Sequence, residues 1–215
     1  MRHLLDAYIR AEESEKLAAF DDMTLVEMIV ERGEDAVDEL PEGLRNNKEA
    51  MAETIENNVR KLIIDEMAVN PRYYEKMSRL LDALIQERRR QALEYKEYLK
   101  RIVELTKKVK QPETGSSYPE VINRPALRAL YDNLELVATR EVKEAQANWG
   151  ERPGVDTRAE RALALDQAIR SIKKDDWRGN KFKEREVRSA IRSVLGDNSE
   201  LVDRIFEIVK NQREY

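Results

Sequence analysis

The chain has 215 residues, with 38% charged and 6% aromatic side chains, no cysteine and a net charge of −4. That mix suits water-facing helices and fits a β-sandwich poorly, and the absence of cysteine excludes disulfides and thiol chemistry. No apolar run approaches the roughly 18 residues a membrane span needs.

In chain order, MRHLLDAYIRAEESEK opens without a signal-type apolar core or cleavage site. Leu4, Leu5, Tyr8 and Ile9 instead begin an apolar stripe almost at the first residue, with no cap or lead-in. The expectation is a piece of a longer cytoplasmic polypeptide, with Met1 supplied by cloning. Thr24 and Glu27 have capping-box spacing for a short helix that Gly33 would stop. Pro41 and Gly43 break the next segment. Ile55, Val59, Leu62 and Ile63 then mark one face of a longer helix. Asp65 and Glu66 end it, a poor place for acids next to carbonyl oxygens.

Asn70-Pro71 is a restart, a cap residue followed by proline at the first helical position. Tyr73, Met77, Leu80, Leu81, Leu84 and Ile85 form the next stripe, and Tyr95, Leu99, Ile102 and Val109 continue the spacing. Arg88-Arg89-Arg90 winds around this helix instead of lining one face, so it is expected in solvent. QPETGSSYPE (111–120) is a loop, Pro125 restarts a helix bearing Leu127, Leu130, Tyr131 and Leu134, and NWGERPGVD (148–156) is a second loop. Helices are expected near 158–173, 181–195 and 199–212, with Gly196 as stop and Ser199 as cap. The reading is all-α, an irregular helical bundle. Residues 1–66 are taken as the end of one helical domain and 70–215 as a C-terminal one, with 111–117 the alternative boundary.

Catalytic signatures are missing. No glycine precedes a lysine, which rules out a G-x-x-x-x-G-K-[ST] phosphate loop. His3 is the one histidine and has no cysteine beside it, which rules out the usual zinc sets and makes it a surface residue. Glu141 and Lys143 have the spacing of metal nucleases, but that pair converges only on a strand; on a helix the two point about 200° apart. Asp175 and Asp176 precede a turn and read as caps. No cofactor or metal is expected in this chain.

Charge is unevenly spread. Residues 1–60 carry 7 basic and 16 acidic side chains, residues 61–110 carry 13 and 8, and residues 170–192 carry 9 and 4. Within KKDDWRGNKFKEREVRSAIRSVL (173–195), Val187, Ala190, Ile191, Val194 and Leu195 share one side of a helix. Lys181, Arg185, Arg188 and Arg192 then fall in an arc of roughly 60° beside that side. Such a row can follow a phosphate backbone, with a salt slope near −3.6 if about four phosphates are neutralised. The other reading is a solvated edge whose arginines pair with acids elsewhere. Trp177, Arg178 and Tyr131 are candidate protein-interface anchors, although core packing is the simpler account of Trp177 and of Phe182.

Several stretches together resemble the C-terminal region of the motor and restriction (R) subunit of type I restriction–modification enzymes. They are LLDAYIRAEESEKLAAFDDMTLVEMIVERGEDAVDELP (4–41), ETIENNVRKLIIDE (53–66), NPRYYEKMSRLLDALIQERRRQALEYKEYLKRI (70–102), RPALRALYDNL (124–134) and ALALDQAIRSIKKDDWRGNKFKEREVRSAIRSVL (162–195). They cover most of the chain, and NWGERPGV (148–155) departs from the pattern. The resemblance implies a non-catalytic helical region of a larger subunit whose nuclease and ATP- and magnesium-dependent motor domains lie upstream. Its implied partners are those motor domains, the methyltransferase and specificity subunits, and double-stranded DNA contacted through its backbone. The alternative is a purely structural clamp for the motor domains without DNA contact.

Overall fold

The computed structural model describes residues 25–33, 35, 47–91, 93–112, 118–134 and 157–215. Among them are eight α-helices and no strand: α1 Leu25–Arg32, α2 Lys48–Glu66, α3 Pro71–Arg89, α4 Tyr95–Lys110, α5 Pro125–Leu134, α6 Thr157–Ile172, α7 Lys181–Leu195 and α8 Ser199–Asn211. The fold is all-α, and none of these helices is long and apolar enough to cross a membrane. Thr24, Pro41, Gly43, His3, the N-terminal stripe, Glu141, Lys143 and the 148–156 loop lie outside the described residues.

Helix ends follow the local chemistry the sequence carries, with instructive exceptions. Asn70 caps α3, accepting from the Tyr73 amide at 3.4 Å, with Pro71 at the first position. Gly33 and Gly196 follow α1 and α7 at φ 64° and 77°, backbone that glycine adopts without a Cβ clash. The cap of α8 is Asn198, which accepts from the Leu201 amide, and Ser199 is the first helical residue. Nor do the paired aspartates cap α7. Asn180 does so, taking the Phe182 and Lys183 amides on one oxygen at 3.1 and 3.3 Å, while Asp176 bends the preceding turn at φ 54°.

The apolar stripe of residues 73–109 is interrupted at 90–94, where α3 turns back into α4 with Gln91 at φ 52°. The Tyr73 hydroxyl at the start of α3 donates to the Lys108 carbonyl near the end of α4, and Arg101 pairs with Glu87. The two helices are therefore antiparallel. Arg60 to Asp82 and Arg88 to Glu56 set α2 antiparallel to α3 in the same way.

Buried apolar side chains form two clusters. One runs from Leu25 to Val109 and is built by α1 to α4 around Ile55, Leu81, Tyr98 and Ile102. The other runs from Ile122 to Tyr215 and is built by α5 to α8 around Leu130, Leu165, Ile191 and Phe206. They part across 110–121, and α2 shares its core with α3 and α4. A polar seam joins them. Asn70 donates to Asp132 at 2.7 Å and accepts from Asn133 at 2.8 Å, and Gln212 donates to the Val69 carbonyl at 2.6 Å.

Candidate functional site

The site is built by the turn between α6 and α7 and by α7 itself. Trp177 anchors that turn with 2% of its surface exposed, its ring edge-on to Phe206 at 6.0 Å. Gly179, at φ 80°, brings its amide to Glu184 Oε1 at 2.8 Å. Val187, Ala190 and Ile191 then pin one face of α7 against α6 and α8. With that face fixed, 100° per residue decides where the cations go.

Lys181, Arg185 and Arg192 are exposed, and none has a partner among the described residues. Arg188 sits nearer the core boundary. Its guanidinium carbon lies 4.1 Å from the Phe206 ring, and its Nε is 3.1 Å from Asp203 Oδ1, an ion pair whose angle falls outside hydrogen bonding. Together with Glu184 and Ser189, these four line an open trough of about 550 Å³.

The acids of α7 do not neutralise this row. Glu184 takes the Gly179 amide and the Lys210 ammonium, the latter at 3.0 Å from α8, and these contacts hold its carboxyl below the usual carboxylate range. Glu186 binds Lys174 at 2.9 Å, from the turn before the helix. Lys183, off the row, donates to the Asp175 carbonyl. The result is three open cations and one half-shielded arginine over about 16 Å of helix. Such a row can hold successive phosphates through charge-assisted hydrogen bonds.

The three interface candidates are placed differently. Tyr131 is 7% exposed, its ring edge-on to Tyr118 and its face covered by Arg158 at 3.7 Å. Arg178 donates from Nε to the Lys210 carbonyl at 2.8 Å and from Nη2 to the Gln212 carbonyl, tying the turn to the end of α8. Trp177 and Tyr131 are thus spent on the interior, and Arg178 on the frayed carbonyls of a helix C-terminus, where a cation is favoured. Core packing is correct for Trp177 and incorrect for Phe182, which is 84% exposed. It lies 100° past Lys181, away from the buried side of α7.

Arg88 is also a correction. It is not solvated: its side chain is 8% exposed and grips Glu56 of α2. A second hollow of about 390 Å³ lies on the seam between the clusters, beside Tyr73, Tyr118 and Arg128. The Tyr73 and Tyr118 hydroxyls are taken internally, by the Lys108 carbonyl and by Asp132 respectively. Among the described residues no three of His, Cys, Asp and Glu are grouped as metal ligands would be. No family model, curated protein or solved structure was found to match the chain.

Proposed function

We propose that this chain is a non-catalytic helical assembly region of a type I restriction enzyme R subunit. In this reading it docks the upstream ATP-dependent translocase and nuclease onto the methyltransferase–specificity core, and the α7 row runs along the DNA backbone. The family assignment rests on the order of the five sequence blocks. The DNA contact rests on one observation: Lys181, Arg185 and Arg192 stand unpartnered among the described residues, while both acids of the same helix are taken by lysines from elsewhere. Contact of this kind is sequence-independent, because phosphates position a protein and base edges specify.

The test is charge reversal at Lys181, Arg185 and Arg192, which hold nothing in the described fold together. Arg188 is left intact because it covers Phe206. Duplex binding by the chain should weaken, and three neutralised phosphates give a salt slope near −2.7 that the variant loses. An unchanged affinity and slope would remove the DNA contact from this reading. Docking is tested separately by mixing the chain with the methyltransferase–specificity core and measuring complex mass by size exclusion with light scattering. No complex, with or without duplex, would remove the assembly role.

A further inference from the structure

We infer that the α7 edge takes single-stranded DNA in preference to duplex, with Phe182 as the platform on which an unpaired base stacks. The inference rests on the reading of this edge as a phosphate-binding surface and narrows its ligand. Phe182 is 84% exposed, the most open large apolar side chain among the described residues. Nothing in the fold is gained from that ring. Its amide serves the Asn180 cap, a role any residue but proline fills.

Its position relative to the cations is fixed by helical geometry. Phe182, Arg185 and Ser189 are spaced i, i+3 and i+7, so they form one ridge along α7. Lys181, Arg185, Arg188 and Arg192 form the adjoining ridge, and the two share Arg185. The trough lined by Lys181, Glu184, Arg185, Arg188, Ser189 and Arg192 therefore carries four cations along its length, and Phe182 stands on the neighbouring ridge, beside its N-terminal end and outside its lining. Phosphate-tracking cations flanked by an open ring are the two elements that sequence-tolerant single-strand binding combines.

A duplex uses only half of this arrangement. Its bases are already stacked on each other and offer the ring no face unless a step is opened. Its strands also curve around the helix axis and leave a straight row of side chains after a few phosphates. A single strand can lie along the row and swing one base onto Phe182. Every base has a π face, so the contact carries little sequence preference.

The experiment compares the 215-residue chain with Phe182→Ala and Phe182→Trp, by fluorescence anisotropy, on a labelled oligothymidine and on a duplex of the same length. Wild type is expected to bind the single strand more tightly. Phe182→Ala is expected to lose about tenfold or more on oligothymidine and less than about twofold on duplex, and Phe182→Trp to restore single-strand binding. Because the ring is in solvent, urea midpoints of the three proteins should coincide, which separates recognition from folding. If duplex binds with the charge dependence above but Phe182→Ala is silent, or loses equally on both ligands, this inference is overturned and the phosphate reading stands. If neither ligand binds, the phosphate reading falls and takes this one with it.

Discussion

Arg88 holds Glu56 with two parallel hydrogen bonds, Nε to Oε1 at 2.8 Å and Nη2 to Oε2 at 3.1 Å, inside the cluster built by α1 to α4. The side chains are 8% and 5% exposed. The Tyr98 hydroxyl donates to the same carboxylate at 3.0 Å, and Glu49 reaches the guanidinium from the first turn of α2. Arg88 carries its charge more firmly than a free arginine, with the hydrogen bond to Glu56 as the main cause. Truncating it strands a carboxylate where water cannot reach, so Arg88→Ala should cost about 3–5 kcal/mol in urea unfolding. Replacing both partners, Arg88→Met with Glu56→Leu, should recover most of that loss. A single variant as stable as wild type would show that the pair opens to solvent.

Gln91 lies between α3 and α4 at φ 52°, in the left-handed region that costs an ordinary L-residue roughly 1–2 kcal/mol. Glycine takes that backbone freely, although it also gains entropy in the unfolded chain. Gln91→Gly is expected to raise stability by about 0.5–1 kcal/mol, read as a higher thermal midpoint. Gln91→Val should lower it, since a β-branched side chain tolerates this conformation worst.

Asn70 performs two tasks with one side chain. It caps α3 and bridges to Asp132 and Asn133 of α5 across the seam between the clusters. Asn70→Ala removes a cap worth about 1 kcal/mol and two seam hydrogen bonds at about 0.5–1.5 kcal/mol each, while Asp132 keeps the Tyr118 hydroxyl and Asn133 the Ala129 carbonyl. The loss should exceed that of Asn47→Ala, which removes only the exposed cap of α2. Equal losses would mean that the seam bonds add nothing.

Four tyrosines should keep their protons well into alkali. Burial, with the Asp132 charge adding to it, pushes Tyr73 up to about 12. Burial pushes Tyr74, Tyr98 and Tyr215 up further, helped by Glu66, Glu56 and the hydrogen bond to Asp166 respectively. A folded pKa above the unfolded value near 10 means that the unfolded chain loses protons first. The contribution is complete below about pH 10 and drains away as pH rises toward the folded values. Absorbance at 295 nm should show these rings titrating together with unfolding, and the urea midpoint should fall above about pH 10. Independent titration of all eight tyrosines in a still folded chain would contradict the burial described here.

Much of this architecture is local chemistry, and local chemistry can be read along the chain. Asn70-Pro71, Pro125 and Gly196 mark helix ends because caps, fixed φ and left-handed backbone are properties of one or two residues. The turn at Gln91 escaped such reading because no glycine or proline marks it. What bends the chain there is the packing of α3 on α4 and of both on α2. Arg88 escaped for a related reason, since its partner Glu56 lies 32 residues away on another helix.

The same division runs through the candidate site. The sequence by itself determined that the chain is helical and that Lys181, Arg185, Arg188 and Arg192 share one side of α7, because the 3.6-residue repeat is a property of the backbone alone. Only the tertiary structure decided which of those charges stay open. Lys210 reaches Glu184 from α8, Lys174 reaches Glu186 from the preceding turn, and Phe206 rises beneath Arg188. The core faces of α6, α7 and α8 set those meetings, and the same rotation of α7 leaves Phe182 in water. Ion pairing and exposure depend on neighbours that folding brings from elsewhere in the chain, and no periodicity within a single helix encodes them.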